Sequence, residues 1–342
     1  MPDPLVSRRL TRAAFAGLAA WMALLFVPLA VPPGPTALGA HLLLLAPLVL
    51  VPLFLDAAAA AAPSRYVRAA SYGVLPAALA FAGSFLVPTG AGAALLILPW
   101  AAVTLLVALD ALGRLAALWR ARRWDAAEVV LASGFGLLPG GAVWAVLSRA
   151  GVDPGPYGEL VVLLTAVHFH YAAFVAPVWA GLLGRFLAQT RPGWRGLYAA
   201  FGLGVVVGTP LVALGIAASR GPAGGAALET VGVVLLTLSA IGIGALGLAV
   251  AGRIEDRWGG VMVAVSAGSL VAAMALALWF NVGARLGAAA PDVAWMLPRH
   301  GWLNAVGFGL WGALGWRRLR PRAASRVPSA EALPPRRAGG AA

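Results

Sequence analysis

The sequence predicts an all-α integral membrane protein, a polytopic bundle of about ten transmembrane helices. Of its 342 residues, 61% are hydrophobic and only 11% are charged, and the mean hydropathy is +0.88. A soluble domain carries about 25% charged residues, so this chain has too little polar surface to face water on all sides. Ten stretches approach the roughly 20 apolar residues that one helix needs to cross a bilayer.

The ten predicted spans follow one another along most of the chain. They cover residues 13–31, 37–55, 67–87, 91–109, 127–148, 158–184, 197–217, 229–250, 260–281 and 300–316. We therefore expect a cytoplasmic segment 1–12, a single transmembrane domain 13–316 and a cytoplasmic tail 317–342. The tail is rich in Arg, Ala and Pro and cannot bury a core, so we expect it to be disordered.

The positions of the arginines give an independent test of this topology. All 25 basic side chains are arginines, and only Arg149, Arg220, Arg285 and Arg299 fall on the outer side of the predicted bundle, leaving 21 inside. Cytoplasmic loops carry such an excess of positive charge, so both ends are predicted to lie in the cytoplasm and the protein in a bacterial inner membrane. The net charge of +13 then indicates contact with anionic lipid headgroups and not with nucleic acid.

Several kinds of chemistry are excluded or disfavoured. Without cysteine the chain has no disulfide, thiolate metal site or cysteine nucleophile. It also lacks a P-loop, an HExxH zinc motif, a CxxCH haem motif and a G-x-S-x-G nucleophile elbow. An enzymatic function is therefore not favoured, and no cofactor is firmly implied.

Two predicted spans contain helix breakers near the middle of the membrane. The fifth has Pro139 followed by two glycines, and the seventh has Gly208, Thr209 and Pro210. Proline removes a backbone donor, and transporters use broken helices to bind substrates at the midplane. The alternative is an ordinary kink packed against a neighbouring helix.

Two histidines and a tyrosine lie in the sixth span, in the segment TAVHFHYAAF at residues 165–174. His168 lies about ten residues from the outer end of the span, which is roughly 15 Å deep at 1.5 Å per residue. Ionisable side chains at this depth are candidates for a functional site. His168 and His170 point about 200° apart on a helix, so they do not easily bind one metal ion.

The last span adds a second polar cluster. His300 and Asn304 are four residues apart and share one helix face, while Glu159 lies near the outer end of the sixth span. These residues predict a polar funnel open to the outside, although each histidine could instead bond a backbone carbonyl and hold helices together. The proposed binding residues are His168, His170, Tyr171, His300, Asn304 and Glu159, and the metal-ligand candidates are His168, His170 and His300.

HFHYAAF and HGWLNAVGFGLWG resemble two characteristic segments of the YndJ-like bacterial membrane proteins. Ala173 stands where the family carries glycine. The resemblance implies a multi-pass transporter whose substrate is not established. It marks His168, His170, Tyr171, Phe174, His300, Asn304, Gly307 and Phe308.

Three functions stay open at this point. The first is a carrier for a small solute or ion at an outward-facing histidine site. The second is an intramembrane redox protein or enzyme that holds a metal or haem with histidine, because neutral imidazole suits iron, copper and zinc. The third is a non-catalytic scaffold or lipid-binding component.

Overall fold

The computed structural model describes residues 3–59, 63–219, 225–283 and 285–324. Within these ranges every regular element is helical, which confirms the predicted all-α class. The chain forms ten long helical segments, named here α1 to α10. They are α1 Pro4–Leu24, α2 Pro35–Ala58, α3 Arg65–Leu86, α4 Ala91–Arg120, α5 Ala126–Ala150, α6 Glu159–Thr190, α7 Pro192–Ala218, α8 Gly225–Ala251, α9 Arg257–Gly283 and α10 293–324.

Eight of these helices, α2 to α9, are long and apolar enough to cross a membrane, counted over the described residues. The first and last helices have comparable length but carry several arginines. The arrangement agrees with the predicted bundle of about ten helices. Large apolar side chains such as Phe15, Leu105 and Val231 lie exposed on its perimeter, where lipid would cover them.

The first and last helices extend beyond the predicted spans. α1 begins at Pro4 and not at residue 13, because the Asp3 carboxylate accepts hydrogen bonds from the backbone N–H groups of Leu5 and Val6. α10 continues to Ala324, so the first residues of the predicted disordered tail are helical. The rest of that tail, residues 325–342, lies outside the described residues.

The inner end of the bundle, the end predicted to face the cytoplasm, is held by ion pairs. Arg317 on α10 donates to the buried carboxylate of Asp56 on α2 at 3.0 Å and to the hydroxyl of Thr11 on α1 at 3.0 Å. Arg185 on α6 binds both carboxylate oxygens of Glu128 on α5. These contacts join five helices, and Arg317 belongs to the packed domain although the sequence assigned it to the tail.

The helices do not break at the prolines of the fifth and seventh spans, which favours the packed proline over the broken helix. α5 continues through Pro139 and α7 through Pro210. The neighbouring glycines instead allow close packing: a Cβ at Gly208 would lie 2.8 Å from Cα of Leu236 on α8. Small residues serve membrane helices in this way because lipid offers no hydrophobic force between them.

Irregular backbone occurs instead in four π-helical segments. They are Ala46–Leu50 in α2, Tyr171–Val175 in α6, Trp279–Gly283 in α9 and Leu303–Leu310 in α10. π-helical turns are rare and frequently lie at functional sites. Two of them fall within the histidine-containing segments that the sequence singled out.

Candidate functional site

His168 lies in α6, three residues before the π segment that begins at Tyr171. Its Nδ1–H donates to the carbonyl of Leu164 at 2.7 Å, which leaves Nε2 as the acceptor nitrogen of the neutral ring. The side chain itself is exposed.

His300 lies in α10, immediately before the second π segment. Its Nδ1–H donates to the carbonyl of Ala273 on α9 at 3.0 Å, so its Nε2 is also left as an acceptor. His300 is half-buried and close enough to His168 for the two rings to interact electrostatically. Neither Nε2 has a hydrogen-bond partner within the described part of the chain. The structure thus brings together two histidines that the sequence placed 132 residues apart.

Asn304 lies one turn along α10 from His300. Its side-chain nitrogen donates to the carbonyl of His300 at 2.8 Å, and the residue is half-buried. The bond uses the amide nitrogen and leaves the amide oxygen Oδ1 as a further acceptor near the pair. Asn304 therefore lies beside His300, on the next turn of α10.

Tyr171 is buried and ties the site to α2. Its hydroxyl donates to the carbonyl of Leu42 at 2.8 Å. Its ring also lies against Gly309 of α10, where a Cβ would come within 3.6 Å of the tyrosine Cε1 and 2.9 Å of Leu50 Cδ1. The π segments of α2, α6 and α10 meet at this point. Tyr171 is therefore part of the packed interior beside these segments.

His170 faces a different part of the protein. Its Nδ1–H donates to the carbonyl of Ala166 at 2.8 Å, and its Nε2 accepts from the indole N–H of Trp100 at 3.3 Å. The ring stacks on Trp100 with centroids 6.2 Å apart and is fully buried. Both nitrogens are occupied, so His170 has no lone pair left for a metal or a solute.

Glu159 lies apart from the histidines. It is exposed at the start of α6, close enough to Arg149 for the two charges to interact. Nor do the three metal-ligand candidates converge: in the described ranges, no three His, Asp or Glu side chains are placed to hold a metal ion. The structure therefore brings together His168, His300 and Asn304, and separates them from His170 and Glu159.

Thr209 adds a polar group to this region, although the sequence indicated it only as part of a possible helix break. Its hydroxyl lies 3.0 Å from the carbonyl of Val205 in its own helix and 3.3 Å from that of Ala172 on α6. Ala172 follows His168 by one turn. Thr209 thus fixes α7 against the π segment of α6, and its position between Gly208 and Pro210 was the only signal for it in the sequence.

Comparison with known proteins gives a family for the chain. The model of the family described as YndJ-like protein matches residues 41–308. A curated relative from Bacillus subtilis (strain 168), the "Uncharacterized membrane protein YndJ", is 30% identical over 242 residues, which are 71% of this chain. The chain belongs to the YndJ-like family and is a multi-pass membrane protein, as its motifs had indicated.

The match covers 41% of the Bacillus subtilis relative, so this chain spans less than half the length of that protein. No solved structure matches this chain. The family model extends from His41 to Phe308 and therefore includes His168, His300 and Asn304, two of the three π segments that meet at Tyr171 and most of the third.

Proposed function

We propose that this YndJ-like protein binds a small solute or ion in the crevice lined by His168 and His300 and carries it across the membrane. The observation that carries the proposal is the pair of unoccupied imidazole Nε2 atoms on α6 and α10, within electrostatic range of each other. Polar groups inside a membrane are costly, and they mark ion and substrate pathways.

The chemistry of the pair defines the ligand class. Two imidazole nitrogens and the amide oxygen of Asn304 are all acceptors, so they suit a cation or a neutral solute with N–H or O–H donors. No carboxylate of the described bundle core is part of this pair, so any coupling to protons would rest on the histidines.

A carrier needs an opening on one side and a closure on the other. The pair lies in the outer half of the predicted topology, and the ion pairs of Arg317 with Asp56 and of Arg185 with Glu128 hold the inner end together. The π segments beside both histidines supply backbone that can change hydrogen-bond register. These features support alternating access around the histidine pair.

A metal- or haem-binding role is the second candidate, because two free imidazole nitrogens are also metal ligands. Such a site would need further ligands from water or substrate, since His170 is occupied by Trp100. The third candidate is a scaffold without transport activity. In each case we propose that the arginines of the inner face bind anionic lipid headgroups.

The test uses purified protein in detergent and its melting temperature. The probes are sodium, potassium, ammonium, methylammonium, guanidinium, urea, Zn²⁺ and Ni²⁺, each measured with the wild type, His168→Ala, His300→Ala and Ser133→Ala. Ser133 is a matched control, since its hydroxyl likewise donates to the carbonyl four residues earlier, that of Val129.

We expect at least one cationic or donor-bearing probe to stabilise the wild type and Ser133→Ala but neither histidine variant. That probe should then accumulate in vesicles containing the wild type and not in vesicles containing His168→Ala. Stabilisation by Zn²⁺ or Ni²⁺ alone would favour the metal site. Equal stabilisation of all four proteins, or of none, would contradict a histidine site.

A further inference from the structure

A groove of about 940 Å³ opens at the inner end of the bundle, far from the histidine pair. It lies between the turn that joins α4 to α5 and the facing surfaces of α6 and α7. Basic, aromatic and small apolar side chains share its wall. The residues that carry the argument are Arg123, Trp124, Asp125, Glu128, Arg195 and Tyr198.

Two arginines of the groove are unpaired, whereas one of its two carboxylates is ion-paired. Arg123 and Arg195 are exposed, and neither pairs with an acid among the residues described. Asp125 accepts the backbone N–H of Ala127 at 2.9 Å and so caps α5, while Glu128 is held by Arg185. Arg114 also lines the groove, but Asp110 already binds it at 2.6 Å. Among the described residues, the groove therefore offers a ligand two unpaired arginines against one carboxylate, Asp125, that no arginine pairs.

Tyr198 supplies an unused donor in the same wall. The residue is only 4% exposed, and its hydroxyl is buried without a hydrogen-bond partner. Gly184, directly opposite, has no side chain, and this leaves room for the phenol. A buried hydroxyl without a partner costs free energy, so its presence beside a groove points to a ligand that accepts a hydrogen bond from it.

We infer that this groove binds the phosphate group of an anionic phospholipid from the inner leaflet. The phosphate would accept hydrogen bonds from Tyr198 and charge-assisted bonds from Arg123 and Arg195. The inference is independent of the histidine site, because the two share no residue.

The surroundings favour a lipid over a free phosphate ion. The wall continues into the apolar side chains of Ala117, Leu118 and Ala188. Trp124 at the rim is 69% exposed and packs edge-on against Trp119, with ring centroids 6.0 Å apart. Exposed tryptophans beside arginines are typical of the headgroup level of a membrane, which is where a lipid could present its phosphate while its chains stay in the bilayer.

The experiment measures binding of fluorescent phosphatidylglycerol to the full-length protein in detergent, with phosphatidylcholine and inorganic phosphate as competitors. Arg195→Gln removes one free cation, and Tyr198→Phe removes only the hydroxyl. Arg253→Gln is the matched control, since Arg253 is an exposed inner-face arginine that bonds only the carbonyl of Ala249 in its own helix. Each variant's melting temperature verifies that it is folded.

We expect Arg195→Gln to weaken phosphatidylglycerol binding about tenfold, the loss of one charge-assisted contact, and Tyr198→Phe to weaken it by a smaller factor. Arg253→Gln should bind like the wild type, and phosphatidylcholine should compete poorly. Equal binding by Arg195→Gln and Arg253→Gln would overturn the site, and so would equal competition by phosphatidylcholine. Competition by millimolar inorganic phosphate as strong as that by the lipid would overturn the choice of a lipid. If Arg195→Gln does not fold, Tyr198→Phe decides alone, and wild-type affinity in that variant would overturn the proposal.

Discussion

His168 and His170 stand two residues apart on α6 and have opposite surroundings. Both ring nitrogens of His170 have hydrogen-bond partners, the carbonyl of Ala166 and the indole N–H of Trp100. In His168 only Nδ1 is bonded, to the carbonyl of Leu164, and among the described residues Nε2 has no partner. The comparison shows that two histidines so close together on one helix can differ in whether a ring nitrogen is left without a partner. What separates the two is whether a second helix supplies a partner for the remaining nitrogen.

The largest difference should appear in stability. We expect His170→Ala to lower the free energy of unfolding by about 2–4 kcal/mol, because it leaves a cavity and an unpaired indole N–H on Trp100. Unfolding by a denaturing detergent, followed by circular dichroism, measures this loss. A smaller loss of unfolding free energy than in His168→Ala would contradict the tight packing of His170.

Gly141 tests the same closed pocket from the opposite wall. A Cβ at this position on α5 would lie 2.6 Å from Cε1 and Nδ1 of the His170 ring. We expect Gly141→Ala to destabilise the protein by about 1–3 kcal/mol through overpacking.

Gly136 on the same helix is the control for this substitution. Its Cβ would meet only the Ala111 methyl group at 3.9 Å, an ordinary contact. Gly136→Ala should therefore be neutral or slightly stabilising, since alanine favours a helix by up to about 1 kcal/mol. If the two alanine variants melt at the same temperature, the ring of His170 is not packed against α5.

Trp100→Phe isolates the single hydrogen bond between α4 and α6. It keeps an aromatic ring beside His170 but removes the donor to Nε2, and we expect a loss of about 1 kcal/mol. Double-mutant cycles with His170→Ala in the same detergent unfolding assay give the coupling between the two residues. Additive effects would mean that the bond contributes nothing.

His168→Ala should have the smallest effect on stability, about 0.5 kcal/mol or less, because its side chain is exposed and makes one hydrogen bond within its own helix. The same variant should lose the ligand response of the wild type. A large loss of stability would assign His168 a structural role like that of His170, and unfolding curves of the two alanine variants side by side decide this.

Much of the fold could be predicted from the sequence. Hydropathy and the arginine pattern located the helices, because both depend on local composition. Helical periodicity also showed that His168 and His170 point to different sides. The sequence could not show which of the two has both ring nitrogens bonded and its ring packed. That depends on Trp100 and Gly141, which other helices bring into contact with the ring of His170.

Other features had no local signal. A π segment changes the hydrogen-bond register by one residue, and the composition of Leu303–Leu310 does not differ from that of an α-helix. Arg149 was counted as an outer-loop charge, yet it is 1% exposed and donates to the carbonyls of Ser84 and Val87 and to the hydroxyl of Thr89. Its role as a clamp between α3 and α5 depends on contacts more than 60 residues away in the chain.

Cysteine labelling tests most directly the proposal that His168 lines a crevice open to the outside. The natural chain contains no cysteine, so His168→Cys provides a single reactive thiol. A charged, membrane-impermeant methanethiosulfonate added to intact cells reacts with thiols that water reaches from outside. Two controls are Leu105→Cys on the lipid-facing perimeter, where the side chain is 56% exposed, and Ala166→Cys in the closed interior, where it is 0% exposed. We predict rapid labelling of His168→Cys and little labelling of either control, whereas labelling of His168→Cys no faster than that of Leu105→Cys would contradict the crevice.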